Sequence, residues 1–461
     1  MKRIISIFCI ALCCIPALGA QDTLRISASK CREMALEQSY DIRKSINDVE
    51  SAGHQKKEAL SNYFPSIKGS TMVAYSPENE ILNTGTGDGT MSLDLVMNGM
   101  YMAGFQLTQP IFAGGRIVNG NKMASIGEDM VRLQQRQIRA RVASEAMHSY
   151  WSYVAVRGKI SMLESYIEQL EELADKVRGS VELEMATSAD LLRVQSSLES
   201  TRYQLQKAVS GCELCRMALS NAIGVNYDSV YVLPEEEESD LEVSNPDMGS
   251  ADLNARPEMQ LLERQVTLAS LKRKLTVGEY LPSIGLVATY NWIGNASLKL
   301  DTRNVNSLFG MLPLPMTLNG TYSYEIERHS PIVAVSIAVP ITDWGKGAHA
   351  IKRSRLAESN ARLDYEKNSK LMDLQLRQAQ MNLGSGKSLV ETSNLALESA
   401  RRQLGIMQDR YDVGLCTLTD LLSSQSEYQK ALSDKLEAVA QWHIYEIDYL
   451  MAAGLLEYIL K

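Results

Sequence analysis

The chain has 461 residues, with 47 Lys and Arg against 55 Asp and Glu, giving a formal charge of −8 with histidine neutral. That balance excludes a nucleic-acid-binding protein that works through a basic surface. At 45% hydrophobic and 22% charged residues the chain is not disordered by composition, and it lacks the repeated apolar runs of about 20 residues that a polytopic helical membrane protein needs.

Residues 1–20 read as a secretory signal peptide. Lys2 and Arg3 precede an apolar stretch from Ile4 to Leu18, and the small residues Gly19 and Ala20 follow. The mature chain is therefore expected to leave the cytoplasm, two charges more negative than the precursor. Cys9, Cys13 and Cys14 go with the signal, and none has the setting of a lipid-attachment box. Cys31, Cys212, Cys215 and Cys416 remain, too few and too scattered for a disulfide framework.

The mature chain repeats itself. Tyr63-Phe64-Pro65-Ser66-Ile67 recurs as Tyr280-Leu281-Pro282-Ser283-Ile284, an offset of 217, and Ile42, Val49, Ala52 and Lys57 match Met259, Val266, Ala269 and Lys274 at the same offset. Downstream the offset is 230. It relates Pro110-Ile111 to Pro340-Ile341, Gly115 to Gly345, Thr187 to Thr417, Asp190-Leu191-Leu192 to Asp420-Leu421-Leu422 and Gly224 to Gly454. The difference is absorbed by Gly- and Asn-rich stretches, 79–104 and 294–320, as expected of loops. This gives a first repeat at 21–230, an acidic solvated linker at 231–250 that holds Glu235 to Asp240, and a second repeat at 251–461. Each copy reads as helix, strand, variable loop, strand, helix, turn, helix.

Four strands follow from period-two alternation, near 66–76, 101–112, 283–293 and 331–341. Each is close to the 9 to 11 residues that a tilted strand needs to cross a bilayer. Tyr63, Phe64, Phe112, Tyr280 and Trp344 gather at one end of them, as an interfacial aromatic girdle would.

The helical parts are long. No proline occurs between Pro110 and Pro234 or after Pro340, and a continuous helix from Gly115 to Gly179 would reach roughly 96 Å. Leu191, Val194, Leu198, Thr201, Leu205, Ala208, Cys212, Cys215, Leu219 and Ala222 keep a heptad rhythm, so Cys212 and Cys215 are read as small packing residues of a helical seam.

Four membrane strands in one chain leave two edges whose unpaired backbone groups hydrocarbon does not tolerate. The sheet must close with other copies, eight strands from two chains or twelve from three.

The duplicated helix, strand, strand, helix, helix plan, Pro65 and Pro282 before the strands, Pro110 and Pro340 after them, and the segment from Tyr411 to Leu422 resemble the TolC-type outer-membrane efflux proteins. Leu24 to Gln38 is similar to that family's first helix. The resemblance covers essentially the whole mature chain. It implies a mainly α fold with a membrane β-barrel: a homotrimer whose 12-strand barrel sits in outer-membrane lipid and continues as a 12-helix periplasmic tunnel. Its role would be the outer-membrane channel of a tripartite efflux or type I secretion system. The partners implied are a periplasmic adaptor (membrane fusion) protein and an inner-membrane pump.

The resemblance also assigns residues. Pro65, Pro110, Pro282 and Pro340 would mark strand–helix bends, where a missing N–H and a fixed φ suit a change of direction. Tyr411, Val413, Gly414 and Leu415 would form the adaptor-docking tip, with Glu184 standing where the first copy should have glycine. Thr187, Asp190, Thr417 and Asp420 are periplasmic-gate candidates. The two Asp residues read either as helix N-terminal carboxylates or, repeated threefold, as a ring that attracts cations and raises carboxyl pKa values.

No enzyme is expected. His54, His148, His329, His349 and His443 show no metal-ligand spacing, and Gly384-Ser385-Gly386-Lys387-Ser388 lacks the first glycine of a phosphate-binding loop, since position 381 is Met381. Neither cofactor nor metal is implied. The alternative is a soluble periplasmic coiled-coil adaptor or structural protein, which explains the heptads and the signal but not four strands of membrane length.

Overall fold

The computed structural model describes residues 22–74, 82–83, 91–96, 100–228, 230–235, 251–302 and 320–460. The signal segment, Tyr75 and Ser76 at the end of the first expected strand, and Glu236 to Asp240 of the acidic run lie outside them. The strands are β1 (Asp22–Ile26), β2 (Ser66–Ala74), β3 (Leu82–Asn83), β4 (Met91–Val96), β5 (Met100–Ala113), β6 (Val230–Pro234), β7 (Ser283–Thr302) and β8 (Gly320–Ala338). The α-helices are α1 (Ala28–Gln38), α2 (Tyr40–Ser61), α3 (Arg116–Glu182), α4 (Ser188–Ala222), α5 (Pro257–Glu279), α6 (Lys346–Asp412), α7 (Leu418–Ala453) and α8 (Leu456–Leu460).

Element bounds recur at the offsets read from the sequence. A shift of 230 carries α3 onto α6, both of 67 residues, and the start of α4 onto the start of α7; a shift of 217 carries the start of α2 onto that of α5. Each 67-residue helix is about 100 Å long. Uninterrupted helix follows from the absence of internal proline, and Pro257 stands at the first position of α5, where its missing N–H costs nothing.

The chain divides into two compact units. One takes residues up to 51, 129–265 and 362–461. Its core includes Ile26, Cys31, Val142, Tyr150, Tyr153, Leu219, Ile223 and Val232, around the parallel pair β1 and β6. Strand carbonyls that face the core are satisfied by buried phenols: Tyr150 donates to Ile26 O at 3.2 Å and Tyr153 to Val232 O at 2.9 Å. Burial pushes the Tyr153 phenol above its ordinary range. Cys212 and Cys215 pack against this core as free thiols, and burial pushes both upward, as expected of packing residues. Residues 384–388 are internal to α6, with no loop to cradle a phosphate.

The other unit, residues 52–128 and 266–361, holds an antiparallel sheet in the order β2-β5-β7-β8. β4 continues the edge of β7 beyond β5, pairing Val96 with Ser297 through Met91 with Thr302. Two strands run to roughly twice the expected length of about ten residues, at 20 for β7 and 19 for β8. The alternation is interrupted where Asn295 adopts φ 57° and the β7–β8 register shifts between Ile293 and Ala296. Beyond such a bulge the period-two pattern changes phase, which hides the continuation of β7. β8 ends at Ala338, before Pro340, whose ring nitrogen has no hydrogen to donate to a ladder.

Candidate functional site

The two helical hairpin tips are built alike. After α3, Glu184 N–H donates to Val181 O at 3.0 Å and Met185 N–H to Ser180 O at 2.8 Å; after α6, Gly414 N–H donates to Tyr411 O at 2.9 Å and Leu415 N–H to Arg410 O at 2.8 Å. Both are Schellman ends, which need a left-handed residue, supplied by Glu184 (φ 58°) and Gly414 (φ 74°). The departure of Glu184 from the expected glycine therefore leaves the backbone conformation of the turn unchanged. The residues on either side are apolar and exposed: Leu183 and Met185 at the first tip, 72% and 80%, and Val413 and Leu415 at the second, 67% and 76%. Leu183 and Met185 were missed in the sequence, although the offset of 230 that links them to Val413 and Leu415 was available.

Tyr411 differs from its neighbours. It is half-buried against the cluster of Val177, Val194, Leu198, Leu418 and Leu421, and burial, followed by the nearby Asp190 charge, pushes its phenol up. It anchors the tip while Val413 and Leu415 present the surface.

Thr187 and Thr417 are the N-caps of α4 and α7, each in a capping box. Thr187 N–H and Oγ1 donate to Asp190 Oδ2 at 3.2 and 2.7 Å, and Thr417 N–H and Oγ1 donate to Asp420 Oδ2 at 3.1 and 2.7 Å. These bonds hold both carboxyls below the usual carboxylate range. Within one chain the shift is thus opposite to the one a carboxylate ring would impose. Arg193 Nη1 donates to Thr419 Oγ1 at 2.6 Å and ties the two helix starts together.

The four prolines divide. Pro65 and Pro282 stand immediately before β2 and β7. Pro110 lies inside β5, where the register with β7 shifts between Pro110 and Phe112, so it marks a bulge rather than the strand's exit. Pro340 follows β8 by two residues. The turns into α3 and α6 are made further on by Gly114 and Gly115 (φ 61° and 76°) and by Trp344 and Gly345 (φ 54° and 85°). A Cβ on Gly114 would stand 2.2 Å from Gly278 O, so glycine is required there. Trp344, its counterpart, is 95% exposed.

The sheet has two chemically distinct faces. Ile67, Val73, Tyr101, Phe105, Leu107, Leu286, Tyr290, Trp292, Val333, Val335 and Ile337 share one face by register and include large exposed apolar side chains. Such a surface belongs in hydrocarbon rather than water. On this face Trp292 meets Tyr101 edge-on at 5.5 Å, stacks on His329 at 5.8 Å, and Tyr290 Oη hydrogen-bonds His329 Nδ1 at 2.9 Å. This second aromatic group lies away from the girdle around Phe112 and was hidden in the sequence because its members come from three strands. The opposite face carries Ser66, Lys68, Ser70, Gln106, Thr108, Thr289, Asn291, Arg328, Ser330 and Ser336, with Met72, Ile293 and Ile332 among them.

Among the described residues no helix is long and apolar enough to cross a membrane, and none of the His, Cys, Asp and Glu residues group as a metal site. The family model of outer membrane efflux proteins matches residues 31–225 and 249–454. Solved structures share the fold: the Vibrio cholerae outer membrane protein VceC (TM-score 0.72, 11% identity, covering 93% of this chain and 96% of that one), the Campylobacter jejuni CmeC outer membrane channel (0.71, 16%, 95% and 90%) and the open state of the Neisseria gonorrhoeae MtrE outer membrane channel (0.71, 17%, 95% and 91%). Comparison with curated proteins yields no match. The family match sets aside the soluble coiled-coil alternative and any enzymatic reading. The chain belongs to the outer membrane efflux protein family, and it is an efflux channel of the outer membrane.

Proposed function

We propose that three copies of this chain close a twelve-strand barrel in the outer membrane and a twelve-helix tunnel in the periplasm. The duct would take cargo from an inner-membrane pump through a periplasmic adaptor and release it outside. The observation that carries this reading is the sheet order β2-β5-β7-β8, whose end strands β2 and β8 each leave a backbone edge unpaired among the described residues while one face is suited to hydrocarbon. In lipid each unsatisfied backbone group costs several kcal/mol, so the β8 edge of one copy must meet the β2 edge of the next. The repeated element bounds support a duplicated plan that supplies two strand pairs and two helical hairpins per chain.

The hairpin tips are the adaptor-facing end in this reading. Val413, Gly414 and Leu415, supported by Tyr411, form the docking knob of the second hairpin, and Thr187, Asp190, Thr417 and Asp420 fix the helix starts at the gate. Native mass spectrometry of the protein extracted from outer membranes in mild detergent tests the assembly. A complex of three chains that conducts ions in a planar bilayer is the expected result. A lone chain recovered only from the soluble periplasm would overturn it.

A further inference from the structure

The polar face of the membrane sheet also carries positive charge among the described residues. Lys68 of β2 is registered with Gln106 of β5, Gln106 with Thr289 of β7, and Thr289 with Ile332 of β8. Arg328 of β8 is registered with Ile293 of β7 on the same face. Both cations are exposed. Among the residues of β2, β5, β7 and β8 whose side chains are described, 66–74, 100–113, 283–295 and 328–338, they are the charged side chains of this face. A chain of net charge −8 has no compositional reason to place cations there. The apolar face, which bears Phe105, Trp292 and Val335, goes to lipid, so Lys68 and Arg328 go to the lumen once the sheet closes.

We propose that the barrel section of the duct is a cationic passage that favours anionic cargo, with Lys68 and Arg328 as the residues that set this preference. The proposal rests on the closed-trimer reading. Threefold repetition turns each side chain into a ring of three charges, and a lumen walled by low-dielectric protein and lipid focuses their field more strongly than an open surface does. The rows of Lys68 and Arg328 lie four residues apart along β7, about 13 Å at strand rise. The rings therefore form two tiers, and an extended polyanion could engage both.

The test uses the full mature trimer in planar bilayers, with inositol hexakisphosphate as a polyanionic probe added to each side in turn. Wild type is expected to be blocked from one side, and Lys68→Gln with Arg328→Gln is expected to raise the half-blocking concentration at least tenfold. The same double variant should shift the reversal potential in a KCl gradient toward K⁺, while Lys68→Arg keeps wild-type block. A double variant that remains a conducting trimer with unchanged block and unchanged reversal potential would overturn the cationic passage. Wild-type protein that yields neither trimer nor conductance would instead overturn the duct on which it rests.

Discussion

Glu184 and Gly414 hold the same left-handed conformation at their hairpin tips, φ 58° and 74°, and an L side chain there costs roughly 1–2 kcal/mol that glycine avoids. Glu184→Gly is expected to stabilise the protein by about 1 kcal/mol once the freer unfolded chain is subtracted, and a rise in the urea midpoint at unchanged slope checks it. The caps that follow work in the opposite direction. Thr187→Ala and Thr417→Ala remove side chains that both accept from and donate to the capping box, at about 1 kcal/mol each. Hydrogen exchange in the first turns of α4 and α7 should quicken roughly fivefold. Because the folded pKa values of Asp190 and Asp420 are depressed, their stabilisation is complete above the unfolded carboxylate value near 4, and it is lost as pH falls through the lower folded values. Acid should therefore loosen both tips in exchange experiments, and Asp420→Asn should abolish that response at the second tip alone.

At the scale of elements, the long helices were legible almost to the residue. An expected helix from Gly115 to Gly179 meets an observed Arg116–Glu182, because heptad rhythm and the absence of proline leave no other solution. The sheet was legible only in part. Gly294 and Asn295 break the alternation of β7, so local pattern stops short of its end, whereas β5, expected near 101–112, is observed at Met100–Ala113 with Pro110 inside it at a bulge. The pair β1 and β6 was not anticipated: five-residue strands far apart in sequence carry no mutual signal until the core that joins them is seen. The tie of Tyr153 to Val232 O within that core gives a prediction. Tyr153→Phe leaves a buried carbonyl without its donor and should cost about 1–2 kcal/mol, measurable as a lowered midpoint of chemical unfolding, with faster exchange concentrated at β1 and β6.

For the whole molecule, the decisive property is which face of the sheet meets lipid. Val335, opposite Leu286, lies on the apolar face, and Ser336, opposite Gly285, lies on the polar one. Val335→Arg should cost about 2–4 kcal/mol in the bilayer and sharply reduce the yield of detergent-extracted trimer, whereas Ser336→Arg, one residue along, should assemble normally. Equal yields from the two variants would reverse the assignment of faces. The length of β7 and β8 then has a consequence beyond transport. They stay paired from Ser283 with Ala338 to Thr302 with Gly320, and β4 joins β7 along its last residues, whereas about ten residues suffice to cross the hydrocarbon. The remainder would emerge on the far side as a braced β-ribbon above the lipopolysaccharide. Water rather than lipid would bathe this ribbon, so charged substitutions in it would escape the cost that Val335→Arg incurs.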